Sequence, residues 1–328
     1  MFDIPVGLFI FKRTDKSVQI MKEIGKVQPR KIYIISDAGR NEEEQRVVEE
    51  CRKAVEESIS WECEVVKKYA TENRGCFGNI GLGALEIFEQ ESKMIFLEDD
   101  NLPEETFFEY CKEMLEKYED NDDVLWICGT NYMSDFKPSE PCDYVFTRHL
   151  LPCGWASWSK KFRKYYDYNF SNLTKKGLKK ARKTYKSRRL FNYDVKNWIN
   201  EKNHERYFSW DYQMNFSVRY HHKFGIAPCK NQITNIGADS MSAHGGTSME
   251  NYLTSKFCMV PSDRLSFPLK APSKMDIDPI FERETEKIIL PPRSYYFRIF
   301  VRRLIPIPRS ISIKKSIKAR KIVRKGDL

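Results

Sequence analysis

The first 130 residues alternate between short apolar runs and amphipathic runs, and this alternation constrains the fold more than any other feature. Each apolar run has the length of a buried strand, and most are followed by apolar residues at helical spacing. Because strands alternate with helices, the sequence predicts an α/β fold with a mostly parallel sheet. Strands are predicted at Val6 to Phe11, Lys31 to Ser36, Glu62 to Lys67, Met94 to Leu97 and Val124 to Cys128, and a later short strand at Lys223 to Cys229.

Helical patterns fill the spaces between these strands and recur later in the chain. Helices are predicted from Asp15 to Ile24, after Asn41, from Ala84 to Gln90, from Glu104 to Tyr118 and from Phe208 to Tyr220. Residues 160 to 189 are basic and rich in tyrosine, which indicates a helical excursion from the sheet. Residues 258 to 295 are rich in proline and are predicted to wrap the domain without much regular structure.

Polar side chains follow several of the predicted strands. Arg13, Asp37 and Asn73 come after the first three strands, and Glu98 to Asp100 follow the fourth. Ligands of parallel α/β sheets bind at the carboxyl ends of the strands. We therefore expect these side chains to surround one site.

The acidic triplet Glu98-Asp99-Asp100 is the sharpest of these features. Three carboxylates that leave one strand repel each other unless a cation neutralises them. Mg²⁺ or Mn²⁺, bound by one or two carboxylates and by substrate phosphates, is the usual partner. The alternative is a solvated turn after an edge strand.

The other residues at this edge each have two interpretations. Arg13 and Asp37 can hold a nucleotide, or they can form an ion pair between neighbouring loops. The glycine-rich segment from Asn73 to Gly83 can bind a phosphate through backbone N–H groups, or it is simply a tight loop before a helix. It lacks the Gly-Lys-Ser/Thr of a P-loop.

Four residues further along the chain complete the set of candidates. Asp211 lies among aromatic residues that suit a general base, although a surface acid of a helix fits the sequence equally well. Trp155 and Trp158 can form a platform for an acceptor sugar, or they belong to the core. His244 lies in a Gly/Ser-rich segment that is typical of a lid over phosphates.

Charge and cysteine content bear on partners and compartment. The net charge of +10 is concentrated in residues 293 to 328, which carry +11, so the rest of the chain carries −1. This tail interleaves aromatic and aliphatic residues with arginines, which favours an anionic membrane surface over nucleic acid or a solvated tail. The nine cysteines are scattered, which favours free thiols, and the first residues lack a secretory pattern. We expect a cytoplasmic protein that is peripheral on the inner face of the membrane.

These features together resemble one family of enzymes. The order and spacing of five stretches are similar to nucleotide-sugar glycosyltransferases of the GT-A fold, in particular the N-acetylglucosaminyltransferase I group and its family-2-like bacterial relatives. The stretches are Pro29 to Gly39, Phe96 to Cys111, Leu151 to Trp155, Trp210-Asp211 and Asn235 to Gly246. The triplet departs from the commoner Asp-x-Asp of this fold, and the basic segment from Lys160 to His204 has no counterpart that we can match.

The resemblance implies a GT-A catalytic domain over residues 1 to 260, with a nucleotide-sugar half to residue 130 and an acceptor half after it. Residues 261 to 292 would wrap this domain and residues 293 to 328 would form the tail. It also implies that Asp100 is the direct metal ligand, that Glu98 contacts the donor sugar, and that Asp99 contacts the ribose. Arg13 and Asp37 would hold the nucleotide, and the loop from Gly237 to Thr247 would close over the diphosphate.

The implied reaction transfers a hexosyl or N-acetylhexosaminyl group from a UDP-linked donor to a glycan or lipid-linked acceptor, in surface polysaccharide synthesis. Asp211 would deprotonate the acceptor hydroxyl, and a single displacement would invert the anomeric carbon. The alternatives are a binding protein that keeps the fold without catalysis, a sugar nucleotidyltransferase, and a nucleic-acid-binding protein that uses the tail.

Overall fold

The computed structural model describes residues 1–238 and 254–292. His244, most of the predicted lid and the basic tail lie outside the described residues. Residues Met1–Ile288 form one compact unit. No helix among the described residues is long and apolar enough to cross a membrane.

An eight-stranded sheet forms the centre of this unit. Its strands are β1 (Val6–Ile10), β2 (Lys31–Ser36), β3 (Glu64–Tyr69), β4 (Lys93–Glu98), β6 (Val124–Cys128), β7 (Tyr144–Thr147), β8 (Trp155–Trp158) and β9 (Phe224–Pro228). Their order in the sheet is β3-β2-β1-β4-β8-β6-β9-β7. The short strands β5 (Asn101–Pro103) and β10 (Ile233–Asn235) form a separate antiparallel pair.

Ten α-helices and one π-helix, Phe77–Leu82, are present in the described residues. The α-helices are α1 (Thr14–Val27), α2 (Glu42–Glu57), α3 (Gly83–Ile87), α4 (Phe107–Lys117), α5 (Ser159–Tyr165), α6 (Lys175–Arg182), α7 (Arg188–Lys202), α8 (Asp211–Tyr220), α9 (Thr254–Phe257) and α10 (Pro279–Ile289). The predicted cap of α2 is confirmed, because the side chain of Asn41 accepts a hydrogen bond from the Glu44 N–H at 2.9 Å.

Side chains of the central strands alternate between two cores. In β1, Val6, Leu8 and Ile10 face the core that α1, α2 and α4 cover, whereas Phe9 faces the core that α3, α5 and α8 cover. Because both faces of the sheet are covered by apolar cores, the sequences of these strands are continuous apolar runs and do not alternate between apolar and polar residues. The central strands are thus covered on both faces, whereas the edge strand β3 is largely exposed.

The predicted fold class is confirmed: α/β, with a mixed, mostly parallel, Rossmann-like sheet flanked by helices. Four of the seven neighbouring strand pairs are parallel. The exceptions all involve β7 or β8, which the sequence did not reveal as strands. β8 runs antiparallel between β4 and β6, so strands from before and after residue 130 share one sheet.

Two features of the later chain also differ from the prediction. The basic excursion is helical, as predicted, but it consists of three helices, α5 to α7, and extends to Lys202 rather than to residue 189. The proline-rich segment ends in a regular helix, α10, because Pro279 occupies the first helical position, where a missing N–H is tolerated. All nine cysteines are free thiols, as predicted.

Candidate functional site

The acidic triplet lies where the chain leaves the middle of the sheet. Glu98 is the last residue of β4, and β5 begins immediately after Asp100. β5 pairs with β10 rather than continuing β4, so the chain turns sharply and holds the three carboxylates at the carboxyl edge. The apolar, buried strand before the triplet therefore determines where these acids lie, as the sequence predicted.

Arg13 joins two members of the triplet. It occupies the N-cap position of α1, directly after β1, which is the parallel neighbour of β4. Its Nη1 donates to Asp99 Oδ1 at 2.7 Å and to Asp100 Oδ2 at 3.0 Å. Arg13 thus forms its ion pairs with the acids of the triplet, and its role in holding a nucleotide stays a prediction.

One arginine does not balance three acids. Burial, and then the charges of Asp100, Asp99 and Asp211, raise the pKa of Glu98 well above its ordinary value, although Arg13 opposes the shift. Burial likewise raises the pKa of Asp99 to about 6. Ionising these acids together is therefore unfavourable. When all of them are ionised, the site carries excess negative charge, and a bound cation offsets that charge.

The segment from Asn235 to Gly237 crosses directly over Asp100. The Ile236 N–H donates to the Asp100 carbonyl at 2.8 Å, and a Cβ on Gly237 would lie 2.3 Å from Asp100 Oδ2. Only glycine allows this approach. Lys16 Nζ donates to the Ile236 carbonyl at 2.6 Å and fixes the start of the loop that was predicted as a lid.

A divalent cation bound at Asp100 needs several oxygen ligands. In the described residues no group of three or more His, Cys, Asp or Glu side chains is arranged to hold a metal. Mg²⁺ and Mn²⁺ sites that take most of their oxygens from substrate phosphates and water need only one or two carboxylates. The excess negative charge and the single carboxylate of Asp100 fit that kind of site, and they do not fit an all-protein cage.

Asp211 is the first residue of α8. The backbone before it is fixed by Glu201, a buried residue near the end of α7, whose Oε1 accepts the N–H groups of Phe208 and Ser209. The Tyr166 hydroxyl donates to the Trp210 carbonyl at 3.1 Å, and the Ser209 hydroxyl donates to Asp211 Oδ1. Asp211 is thus the half-buried end of a segment that is anchored at three points.

The charge of Asp211 and the charges of the triplet affect the pKa of the same neighbouring side chains. Burial, and then the charges of Glu98 and Asp211, raise the pKa of the Cys76 thiol. Asp211 also contributes to the raised pKa of Glu98. Although Glu98 and Asp211 are far apart in the sequence, the fold brings them close enough for their charges to interact.

Trp155 and Trp158 do not form a surface platform, and this prediction is corrected. Both lie on β8 and are almost fully buried. Trp155 stacks on Trp126 with ring centroids 4.3 Å apart, and Trp158 Nε1 donates to the Leu115 carbonyl. Because β8 is inserted between β4 and β6, its side chains fill the cores on both faces of the sheet. Their contribution to the site is indirect: Trp155 packs against Trp210, next to Asp211.

Asp37 holds the loop of residues 73 to 75 in place through hydrogen bonds. Its Oδ1 accepts the N–H groups of Ala38 and Arg74, and its Oδ2 accepts the Gly75 N–H and the Asn73 amide. These four hydrogen bonds use the lone pairs of a carboxylate that is 5% exposed. Asp37 and the predicted ligand Asn73 are brought together, and the bonds between them hold the glycine-rich loop against the end of β2.

The glycine-rich segment packs against the residues before Asp211 rather than forming an open cradle. Gly75 has a positive φ of 69°, and the π-helix Phe77–Leu82 follows. A Cβ on Gly81 would lie 2.6 Å from the Tyr166 hydroxyl and 2.9 Å from the Trp210 Cβ. The segment is therefore the tight turn before a helix that the sequence left open as the alternative, and its glycines permit this close contact.

Sequence reasoning missed several residues of the cleft. Asn235 on β10 donates to Cys153 Sγ and accepts from Cys258 Sγ. Burial, and then the charges of Asp100 and Glu98, raise the pKa of Cys153. Burial, with Asp211 among the contributing charges, raises the pKa of Tyr132. The only available signal was that Cys153 and Asn235 lie in stretches that carry the family resemblance; Tyr132 and Cys258 had none.

Comparisons with known proteins were made at the level of sequence and of structure. No family model matches the chain, and no curated protein sequence matches it. Its structure is similar to UDP-glucose pyrophosphorylase in complex with UDP-glucose, with 10% identity, a TM-score of 0.36, and coverage of 71% of this chain and 93% of that one.

Two further solved structures are similar at the same level. Mouse xyloside xylosyltransferase 1 in its apo form has 9% identity and a TM-score of 0.38, over 69% of this chain and 84% of that one. Mannose-1-phosphate geranyltransferase from Thermus thermophilus has 8% identity and a TM-score of 0.35, over 71% and 75%. Likeness of this degree does not identify an activity.

Proposed function

We propose that this protein is a nucleotide-sugar-dependent glycosyltransferase of the GT-A type. The observation that carries the proposal is the convergence of Asp211 with the Glu98–Asp100 triplet at the carboxyl edge of β4. The triplet is suited to binding a cation together with a diphosphate. The separate carboxylate of Asp211 is available to take a proton. Transfer of a sugar from a nucleotide diphosphate to a hydroxyl requires these two functions.

The donor half of the site consists of the triplet and Arg13. Asp100 is the proposed ligand of Mg²⁺ or Mn²⁺, which would supply charge stabilisation for the leaving diphosphate. Glu98 and Asp99 are proposed to contact the donor sugar and the ribose, in line with the family resemblance. Arg13, which bridges Asp99 and Asp100, orients both carboxylates and adds a second positive charge near the phosphates.

Asp211 is the proposed general base. Its backbone is fixed by Glu201 and Tyr166, so the carboxylate can be held in one position relative to the donor. A base on the acceptor side and a leaving group on the metal side favour one direct displacement with inversion at the anomeric carbon. The hydroxyl of Ser209, which donates to Asp211, leaves the second carboxylate oxygen for the acceptor.

The role of Asp37 in nucleotide binding is proposed in a different form from the one the resemblance implies. Four protein donors already occupy its carboxylate. Its proposed role is therefore to shape the loop of residues 73 to 75, whose Arg74 and Gly75 N–H groups it accepts, rather than to contact the base itself. The UDP specificity, the glycan or lipid-linked acceptor and the link to surface polysaccharides remain parts of this proposal.

The test is release of nucleotide from a panel of UDP-, GDP- and dTDP-sugars, with Mn²⁺, with Mg²⁺ and with EDTA. We expect slow hydrolysis of one donor to the nucleoside diphosphate, with dependence on metal. Asp100→Ala should lower this rate by roughly 10³-fold, because the ligand that positions the diphosphate is lost.

Asp123→Ala is the matched control, since this exposed acid precedes β6 at the opposite edge of the sheet. It should leave the rate unchanged. Release of pyrophosphate from a nucleoside triphosphate and a sugar phosphate would instead identify a nucleotidyltransferase. Binding of a donor without any turnover, in the wild type as in Asp100→Ala, would contradict catalysis altogether.

A further inference from the structure

The segment from Lys160 to His204 concentrates positive charge on the surface. It contains 15 Lys or Arg residues and three acids, a net charge of +12. Thirteen of the basic side chains are exposed. All three acids, Asp167, Asp194 and Glu201, are at most 8% exposed. Within this segment, all of which the structure describes, the exposed charges are therefore of one sign.

Each buried acid is used inside the protein. Asp167 accepts from the N–H groups of Ser171 and Asn172, and Asp194 accepts from the Tyr185 hydroxyl. Glu201 holds the loop that leads to Asp211. Since these carboxylates are committed to internal hydrogen bonds, they do little to neutralise the exposed lysines and arginines.

The cations of α6 lie on one side of the helix. At about 100° per residue, Lys175, Lys176, Lys179, Lys180 and Lys183 fall within an arc of roughly 140°. The opposite side, with Gly177 and Ala181, is buried. α6 packs against α8, so the lysine side faces solvent.

α7 repeats this arrangement. Arg188, Arg189 and Lys196 are exposed, whereas Leu190, Asp194 and Trp198 on the other side are buried. α7 also packs against α8. We define the α6–α7 basic surface as Lys175, Lys176, Lys179, Lys183, Lys186, Arg188 and Lys196.

The basic surface is separate from the candidate active site. The Lys180 carbonyl is 3.2 Å from His222 Nε2, just past the last residue of α8, whereas Asp211 is its first residue. α8 has ten residues, so about 15 Å separate its two ends. The end of α6 at Lys180 therefore lies at the opposite end of α8 from Asp211, so this part of the basic surface does not contact the proposed base.

We propose that the α6–α7 basic surface docks on a bilayer that contains anionic phospholipid. Its charges are mostly lysines, spread along the outer sides of two helices, which suits a diffuse sheet of negative headgroups better than a single phosphate. Single-stranded nucleic acid would call for exposed aromatic rings beside the cations. None of the aromatic residues between Ser171 and Lys202, all described, is exposed. Two acids of other elements contact the segment: Asp122 binds Lys164 near its start, and Glu286 accepts from Ser187 within the basic surface.

The experiment measures co-sedimentation of the full-length protein with vesicles of pure phosphatidylcholine and with vesicles that contain about 30% phosphatidylglycerol. The test variant replaces Lys175, Lys176, Lys179 and Lys183 by Gln. The matched control replaces four exposed lysines outside the surface, Lys22, Lys53, Lys137 and Lys274, by Gln. Thermal unfolding of each variant verifies that it is folded.

We expect the wild type and the control to bind the anionic vesicles, and the test variant to lose at least about ten-fold in apparent partition coefficient. Equal binding by the test variant and the control would overturn the proposal and assign binding to the tail. Tighter binding to duplex DNA or RNA than to vesicles, lost in the test variant, would overturn it in favour of nucleic acid. Donor hydrolysis without vesicles should change by less than about two-fold in the test variant, because the surface lies far from Asp211.

Discussion

Two regions of this protein concentrate charge in opposite ways. At the carboxyl edge of β4, three acids are held together in a largely buried turn, with one arginine against two of them. Along the segment of residues 160 to 204, thirteen exposed cations have no exposed acid among them. Buried like charges interact strongly and shift each other's pKa, whereas exposed ones are screened by water and salt. The first arrangement is suited to binding and chemistry of a small ligand, and the second to docking on an extended surface.

The largest expected effect separates the two regions by removing the proposed base. Asp211→Asn should lower sugar transfer to an acceptor by about 10²- to 10³-fold, because the amide cannot take the proton. Donor affinity and vesicle binding should stay the same. The measurement is the transfer rate with a saturating donor, with Asp123→Asn as the control. A rate near that of the wild type would remove Asp211 from the mechanism.

A second prediction contrasts the triplet with Glu282, whose negative charge is balanced by nearby cations and hydrogen-bond donors. Burial opposes the shift, but the charges of His149 and Arg219, and hydrogen bonds from Thr147 and the Arg148 N–H, lower the pKa of Glu282 to about 2. Its folded pKa lies below its ordinary value. Glu282 therefore stabilises the folded state at pH above about 4.5, and this contribution is lost as the pH falls towards about 2.

The consequence is measurable by urea unfolding between pH 7 and pH 3. The wild type should lose about 2 kcal/mol of the free energy of unfolding through this group over that range. Glu282→Gln should be less stable at pH 7 and should show a shallower loss on acidification. If the free energy of unfolding depended on pH in the same way in both proteins, the pKa of Glu282 would not be lowered in the folded state.

The smallest effect concerns Glu201, which connects the two regions. It lies near the end of α7, and its carboxylate fixes the backbone just before Asp211. Glu201→Ala should lower kcat by about ten-fold with little change in donor KM, since the base is positioned less well. Glu201→Gln keeps an oxygen that accepts both N–H groups and should restore most of the rate. If the Gln variant were as slow as the Ala variant, the negative charge rather than the hydrogen bonds would be responsible.

Local patterns were enough to predict the first half of the sheet. β2 and β6 have the predicted bounds, and β1, β4 and β9 differ by one or two residues at their ends. These strands are buried on both faces, so their apolar runs are unbroken and stand out from the surrounding sequence. β7 and β8 were missed because each has only four residues, which is too short for a recognisable pattern; β8 is inserted between β4 and β6, and β7 is added at the edge.

The candidate site was predicted unevenly. The position of Glu98, Asp99 and Asp100 follows from the strand before them, and Arg13 was expected near them because neighbouring parallel strands end at the same edge. The interpretation of Trp155 and Trp158 was wrong because an aromatic pair looks the same in sequence whether it lines a cleft or fills a core. His244 lies outside the described residues, and its role stays a prediction.

The sequence by itself determined the α/β class, the free thiols and the place where three acids leave a buried strand, because each depends on residues that are close together in the chain. Tertiary structure alone decided which polar groups are already satisfied. It directs four donors to Asp37, brings Asp211 to Glu98, and turns every acid of the basic excursion inward. Burial and hydrogen-bond partners come from segments far apart in sequence, and they determine whether a charged side chain is available to a ligand.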